Sequence, residues 1–196
     1  KASGPESIQQ LAAELYELEQ RHSAPPGSTK IIPLVGETAA SAIRIVDYVS
    51  ASLPRLAGLT WGAEDLAAAI GATRKHASKG WSDGFAFVRA QTLLAAHARG
   101  IMAIDTVYPD FNDPNGIKAA AEAARADGFT GMLAIHPAQV AEINQAFAPS
   151  EAELAEARAI VAAFEGDPGA GTLQIDARMF DRPHLLQARR RLGLED

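Results

Sequence analysis

The chain has 196 residues, of which 47% are hydrophobic and 21% charged, so it is long enough to bury one sizeable core. Its formal charge of -6 disfavours a general nucleic-acid binder, because phosphate-backbone affinity depends on basic patches. The absence of cysteine excludes disulfides, zinc-thiolate sites and cysteine nucleophiles. No apolar run approaches the roughly 18 residues of a membrane span, and the N-terminal segment has no signal-peptide pattern, so we expect a soluble cytoplasmic protein.

Short β-rich apolar runs alternate with longer Ala- and Leu-rich amphipathic stretches, which is typical of a chain built from βα units. Apolar periodicity predicts helices over residues 5–22, 38–52, 85–98, 114–126 and 138–147, and another beginning at the capping box of Ser150 and Glu153. Strands are predicted over residues 30–36, 56–62, 101–107 and 131–135. The segment EGDPGAG then separates an α/β part, residues 1–165, from a linker and extension, residues 166–196, suited to packing on a neighbouring subunit.

Acidic residues follow several of the predicted strands, where the active sites of parallel α/β folds are found. The candidates are Glu37, Glu64, Asp65 and Asp105. Glu37 directly follows IIPLVG, and Asp65 comes just after LTWG, so neighbouring strands would present both carboxylates to one position. Hard oxygen ligands of this kind suit magnesium. The alternative is that Glu37 and Asp65 are helix N-caps that accept backbone N–H bonds.

Two further strand ends carry candidate ligand-binding residues. Residues 105–114, DTVYPDFNDP, combine acids, aromatics and prolines, including Tyr108 and Pro109, and either shape a ligand pocket or form an ordinary turn-rich loop. His136 ends the run MLAIH, where it either assists substrate binding and proton transfer or only fixes the loop that follows.

The sequence also contains one basic stretch and lacks several common nucleotide-binding and nucleophile motifs. Arg74, Lys75 and Lys79 either meet a phosphate or carboxylate group or belong to a solvated loop. The chain contains no GxGxxG, no GxxxxGK[ST] and no GxSxG, so the sequence offers no motif for dinucleotide binding, P-loop nucleotide binding or a nucleophile elbow.

Five segments taken together resemble one family. They are PLVGETAASAI, WGAEDLAAAIGA, GIMAIDTVYPDFNDPNG, GFTGMLAIHPAQVAEIN and ARMFDRP, in that order. The ordered set is similar to citrate lyase beta subunits, malyl-CoA lyases and citramalyl-CoA lyases, and it covers nearly the whole chain.

The resemblance implies a (β/α)8 barrel, commonly trimeric, that uses magnesium, with manganese as a substitute. Glu37 and Asp65 match the family's metal ligands, and Asp181 matches a C-terminal acid/base that reaches a neighbouring subunit's active site. Four predicted strands are too few for a closed barrel, so we expect strands one to three, and a substrate-binding arginine among them, to lie upstream. Lys1 then corresponds to the end of the fourth strand.

The implied reaction is a Claisen-type cleavage or formation of a 3-hydroxyacyl-CoA such as malyl-, citramalyl- or citryl-CoA. The expected partners are an acyl-CoA, an oxo-acid such as glyoxylate, pyruvate or oxaloacetate, and further copies of the chain in a trimer or hexamer, without nucleic acid or membrane. The turn formed by Gly62, Ala63 and Glu64 is expected to bind the oxo-acid through backbone amides, with Tyr108, Pro109 and His136 as further substrate contacts. The alternatives are a metal-dependent aldolase without CoA and a subunit of a citrate lyase complex.

Overall fold

The computed structural model describes residues 1–76, 78 and 80–194, and the chain divides into two compact units, Lys1–Phe147 and Ala148–Asp196. In chain order the elements of the first unit are α1 (Pro5–Arg21), β1 (Leu34–Val35), α2 (Ala39–Ile43), α3 (Asp47–Ser50), β2 (Gly58–Trp61), α4 (Ala63–Ile70), α5 (Asp83–Ala98), β3 (Met102–Asp105), α6 (Pro114–Ala126), β4 (Gly131–Met132) and α7 (Ala138–Phe147). Among the described residues, no helix combines the length and apolarity needed to cross a membrane.

The four strands of this unit form one parallel sheet in the order β1-β2-β3-β4. Each strand therefore pairs with the next strand in the sequence, as expected for successive βα units. The predicted α/β class is confirmed, but within the described residues the sheet stays open and does not close into a barrel.

Two predicted elements are shorter or more broken than their patterns indicated. The strand predicted over 30–36 is reduced to β1 plus an isolated parallel bridge between Ile31 and Leu56, because Pro33 has no N–H to donate to a neighbouring strand. The helix predicted over 38–52 is two short helices, α2 and α3, joined by turns in which N–H groups bond three residues back, as from Arg44 to Ser41.

The core of the first unit lies between the sheet and its helices, with α5 packed on β2 and β3. Leu59, Trp61 and Ala103 are fully buried there. Adjacent residues of a strand point to opposite faces of the sheet. Met102, next to the buried Ala103, is 43% exposed, and Ile32, which precedes β1, is 44% exposed. Apolar side chains of the sheet region thus remain uncovered in the described structure.

A buried ion pair fixes the chain near the amino ends of the strands. The guanidinium of Arg55 binds both carboxylate oxygens of Glu19 at 2.7 Å. Glu19 also accepts hydrogen bonds from the backbone N–H groups of Gly27 and Thr29. This bidentate pair links α1 and the following loop to the segment that enters β2. It lies near the amino ends of the strands, opposite to their carboxyl ends.

The second unit contains α8 (Glu151–Gly166), β5 (Thr172–Ile175), β6 (Arg178–Asp181) and α9 (Arg182–Arg191). The expected extension is thus a β-hairpin followed by a helix. Asp176 and Ala177 both have positive φ and form the two-residue turn that favours hairpin twist. The sequence placed a boundary at residues 165 and 166, whereas the compact unit begins before α8, because α8 buries Ile160 and Phe164 against the hairpin and α9.

Candidate metal and substrate site

Glu37 and Asp65 converge at the carboxyl ends of β1 and β2. Gly36, at φ 73°, turns the chain out of β1 and delivers Glu37, while α4 begins after Gly62 and carries Asp65 in its first turn. A Cβ atom on Gly62 would lie 3.1 Å from Cγ of Glu37 and 3.6 Å from Oδ2 of Asp65, so the glycine lets both acids approach the strand end. The carboxylates of Glu37 and Asp65 therefore lie close together at the strand ends, as the sequence predicted.

The ammonium of Lys1 lies between these two acids. Its Nζ is 2.6 Å from Oδ1 of Asp65 and 3.0 Å from Oε1 of Glu37. Burial raises the pKa of Glu37, Lys1 opposes that rise, and Asp65 adds to it. The hydrogen bond from Lys1 holds the pKa of Asp65 below its ordinary value, and Glu37 lowers it further. Of the two acids, the buried Glu37 is therefore the harder to ionise.

The helix-capping alternative for these acids is wrong. The N-cap of α2 is Thr38, which forms a capping box with Ser41, and the N-cap of α4 is Gly62, without a side-chain cap. Oε1 of Glu37 is buried, accepts no backbone hydrogen bond and faces the ammonium of Lys1 at 3.0 Å. Glu37 and Asp65 are thus left available for a cation rather than for the backbone.

The donor set of this site suits magnesium. In the described ranges, no group of three or more His, Asp and Glu side chains could surround a metal ion. Magnesium commonly binds one or two protein carboxylates and takes its remaining ligands from water and substrate. Two carboxylates that already face one cation, the ammonium of Lys1, fit that coordination habit.

The turn after β2 is partly committed to other contacts. The backbone N–H of Ala63 donates to Oγ1 of Thr106 at 3.3 Å, which ties the turn to the neighbouring strand end. Glu64 is half exposed and forms an ion pair with Lys75, so its carboxylate already has a cationic partner. Arg74 is exposed, and the predicted Lys79 lies outside the described residues.

Asp105 is not free to bind a ligand. Its Oδ1 accepts hydrogen bonds from Nε1 of Trp61 at 2.7 Å and from the backbone N–H of Thr106 at 2.8 Å. Its Oδ2 receives the guanidinium of Arg89, with Nε at 2.9 Å and Nη2 at 2.8 Å. The sequence suggested Asp105 as a site acid, and the structure instead makes it a buried structural anion between β2, β3 and α5.

Gln139 connects the loops after β3 and β4 through hydrogen bonds. Its buried side chain donates from Nε2 to the carbonyl of Tyr108 at 2.9 Å and accepts at Oε1 from the N–H of Ile135, also at 2.9 Å. Tyr108 donates its hydroxyl to Oδ2 of Asp113 at 2.7 Å, and Asp113 caps α6. Tyr108 is therefore held at both its backbone and its side chain.

His136 is exposed and stacks on Phe111, with ring centroids 4.9 Å apart and an interplanar angle of 20°. Its Nδ1 accepts the N–H of Ala138 at 3.2 Å. In the neutral ring the hydrogen is therefore on Nε2, which can donate a hydrogen bond. Pro109 is exposed in the loop that carries Phe111. The two loops therefore present Tyr108, Pro109 and His136 at the same end of the sheet as Glu37.

Asp181 belongs to the second unit, where it is the N-cap of α9. It accepts the N–H of His184, and Oδ1 lies 2.5 Å from Nδ1 of His184 in a capping box. This hydrogen bond with His184 holds the pKa of Asp181 below its ordinary value. Its local role is thus capping, and no spacing pattern singles it out.

Sequence reasoning missed Lys1 and Gln139 as parts of the site. Lys1 is an isolated basic residue with no partner nearby in the sequence, and its acids lie 36 and 64 residues away. Gln139 stands in the first turn of α7, where polar residues are ordinary, and only its burial reveals its role. Neither carries a local sequence signal.

A consecutive parallel sheet with two carboxylates at adjacent strand ends defines an α/β protein with a paired-acid site. The family model described as HpcH/HpaI aldolase/citrate lyase matches residues 2–137. The chain therefore belongs to the HpcH/HpaI aldolase/citrate lyase family, which confirms the resemblance found in its motifs.

Relatives of this chain include proteins named as a lyase and as a citrate lyase subunit beta-like protein. The L-malyl-CoA/beta-methylmalyl-CoA lyase of Rhodobacter capsulatus is 37% identical over 164 residues, covering 76% of this chain and 52% of that protein. A citrate lyase subunit beta-like protein of Mycobacterium tuberculosis is 36% identical over 178 residues, covering 90% of this chain and 60% of that protein. The chain thus spans between half and two thirds of the length of these relatives.

Solved structures show the same fold. CitE from Mycobacterium tuberculosis, in complex with magnesium, acetoacetate and coenzyme A, matches with a TM-score of 0.73 and 35% identity over 93% of this chain and 64% of that chain. A citrate lyase from Burkholderia xenovorans matches with a TM-score of 0.83 and 25% identity over 98% of this chain and 61% of that chain. The α/β fold is that of citrate lyase beta-type structures.

Proposed function

We propose that this chain is part of a magnesium-dependent lyase that makes or breaks a carbon–carbon bond next to a CoA thioester. The observation that carries the proposal is the convergence of Glu37 and Asp65 at adjacent strand ends, in a chain 37% identical to a malyl-CoA lyase. A related CitE structure contains magnesium, acetoacetate and coenzyme A together, which supports the same substrate class.

Glu37 and Asp65 are the proposed ligands of Mg²⁺, with Mn²⁺ as a substitute. When bound, the ion supplies Lewis-acid polarisation of an oxo-acid carbonyl and a template for the carboxylate beside it. The buried Oε1 of Glu37, whose neighbour is the Lys1 ammonium rather than a backbone N–H, supports this assignment. Asp65, at the start of α4, places the second carboxylate beside a helix N-terminus that itself favours anions.

The turn at Gly62, Ala63 and Glu64 and the loops carrying Tyr108, Pro109 and His136 are the proposed substrate-binding elements. The N–H of Ala63 is taken by Thr106, so the remaining amides at the start of α4 are the ones available to an oxo-acid carboxylate. His136 offers a hydrogen-bond donor. Related CitE structures contain oxaloacetate and pyruvate, which have this carboxylate-plus-carbonyl chemistry.

Asp181 is the proposed acid/base. In the synthetic direction its carboxylate removes a proton from the thioester methyl group, and the enolate carbon attacks the oxo-acid carbonyl carbon. In cleavage the same group, now protonated, returns the proton to the enolate carbon. The hydrogen bond with His184 favours the ionised form that a base requires. We propose that Asp181 serves a neighbouring copy in a homotrimer or hexamer.

We also propose that the four strands are part of a (β/α)8 barrel. Parallel sheets normally have both faces covered, yet Ile32 and Met102 remain substantially exposed. The N–H of Ala2 bonds to the carbonyl of Leu34 at 3.0 Å, so pairing continues beyond β1. Additional βα units would cover the open face and both sheet edges.

Magnesium-dependent cleavage of malyl-, citramalyl- and citryl-CoA by the whole protein tests the proposal. Asp181→Asn is the informative variant, because Asn caps helices as well as Asp but cannot exchange the proton. We expect its thermal midpoint to be unchanged and its kcat to fall about 10²–10⁴-fold. Full activity of this variant, or full activity in EDTA, would contradict the mechanism.

A carrier-dependent citrate lyase subunit is the second candidate, favoured by the 36% identical citrate lyase subunit beta-like protein. It predicts turnover of a protein-bound citryl thioester and little turnover of free acyl-CoA. A CoA-independent aldolase predicts cleavage of free hydroxy-acids instead. Comparing the three substrate forms in one assay separates these possibilities.

A further inference from the structure

We infer that Lys1 is a positioning residue of the paired-acid site, whose ammonium holds Glu37 and Asp65 together in the metal-free protein and withdraws when a divalent cation binds. This inference rests on the metal site of the proposed function. It adds that the Lys1 ammonium and the metal ion bind the same two carboxylates in turn.

The contacts of Lys1 show that it acts as a bridging cation. Nζ lies 2.6 Å from Asp65 and 3.0 Å from Glu37, so one positive charge contacts both acids. Without it, two carboxylates would face each other across a short gap, one of them buried, and their repulsion would favour separation. Lys1 therefore stabilises the arrangement that a metal ion needs.

The backbone beside Lys1 is held in place, whereas the Lys1 side chain is largely exposed. Ala2 is buried, and its N–H bonds to the carbonyl of Leu34 at 3.0 Å, which anchors this segment beside β1. The Lys1 side chain itself is 67% exposed. A flexible four-carbon stem can therefore swing its ammonium into solvent without moving the strand end.

A divalent cation cannot share this position with Lys1. Magnesium sits about 2.0–2.1 Å from its oxygen ligands, so an ammonium at hydrogen-bond distance from the same oxygens would be strongly repelled. Metal binding must therefore break the contacts of Lys1 with both acids. The native lysine lowers metal affinity, and in return it keeps the site assembled before metal arrives.

Replacing Lys1 with a neutral side chain should separate these two effects. In Lys1→Met we expect Mg²⁺ to bind at least about threefold more tightly, because no ammonium has to be displaced. We also expect the metal-free variant to unfold at a lower temperature and to gain more from added Mg²⁺ than the native protein does. Lys1→Arg keeps the charge and should behave like the native protein in both respects.

The test is calorimetric titration of Mg²⁺ into the whole protein, with thermal unfolding in EDTA and in Mg²⁺. Lys118→Met is the matched control, because Lys118 is exposed on α6 and its loss changes the net charge equally. Weaker or equal Mg²⁺ binding by Lys1→Met relative to Lys118→Met would overturn the inference. Glu37→Gln tests the metal site itself. If the native protein and Glu37→Gln bind Mg²⁺ equally well, the proposed metal site is wrong, and so is the inference about Lys1.

Discussion

The indole N–H of Trp61 donates to the carboxylate of Asp105 at 2.7 Å, joining the carboxyl ends of β2 and β3. The other oxygen of Asp105 is held by Arg89, which also binds Asp127 and lies over the ring of Phe129. A strand-end acid that looks catalytic in sequence is therefore the anchor that keeps two strand ends in register.

Asp105→Ala should be strongly destabilising, because it leaves the largely buried Arg89 without its main partner and the Trp61 N–H unbonded. We expect a loss of about 3–5 kcal/mol in the free energy of unfolding, measured by urea denaturation. Asp110→Asn, in the exposed loop that follows, keeps an oxygen that can accept from the N–H of Asn112 and should change it by less than about 0.5 kcal/mol. Equal stabilities of the two variants would show that the network contributes little.

Gly116→Ala should disrupt the first turn of α6. A Cβ atom there would overlap Oδ2 of Asp113 and the hydroxyl of Tyr108, so the cap and the hydrogen bond of Tyr108 must both shift. We expect a loss of about 1–2 kcal/mol in unfolding free energy, as for a lost N-cap. Gly84→Ala is the control, since a Cβ there meets nothing within 4 Å and Ala favours helix. A neutral Gly116→Ala would mean that the loop accommodates the methyl group.

Gln139→Met should weaken substrate binding by releasing the loops that carry Tyr108 and His136. The variant keeps the side-chain volume but loses both hydrogen bonds, which costs about 1–3 kcal/mol of stability. At a temperature where the variant is fully folded, we expect KM for the oxo-acid or acyl-CoA to rise severalfold. Gln145→Met, an exposed change on the same helix, should leave KM unaltered. A purely structural Gln139 would lower the thermal midpoint with KM unchanged.

The pair of Glu19 and Arg55 predicts part of the acid sensitivity of the fold. Arg55 holds the pKa of Glu19 well below its usual range. Its contribution to stability is therefore complete above the unfolded value of about 4.3 and is lost as the pH falls from there toward the folded value. The difference in urea midpoint between native protein and Glu19→Gln should be constant above about pH 5 and shrink below it. Glu14→Gln, exposed on α1, should show no such trend.

Element order was predictable because hydrophobic periodicity is a local signal. The strand ends that carry Glu37 and Asp65 were located from apolar runs followed by acids, and the structure brings these two residues together. The motifs identified the family correctly. The break in the helix over 38–52 was not predictable, since its apolar positions repeat as in one continuous helix.

Contacts between distant parts of the chain account for the remaining errors. Whether Asp105 is free or bonded depends on Arg89 and Trp61, which no spacing rule connects to it. The roles of Lys1 and Gln139 depend likewise on three-dimensional neighbours. Asp181 was singled out only by family resemblance, and its site role stays a prediction.

The consecutive strand order has a consequence for how the first unit assembles. Every strand pair joins neighbours in the sequence, so each new βα unit adds to an edge formed by the unit before it. Among the described strands β1 to β4, none waits for a partner made much later, so the loop-closure entropy lost at each pairing step is small. Assembly can therefore follow synthesis from β1 toward β4, with the site closing when the turn after β2 brings Asp65 against Glu37.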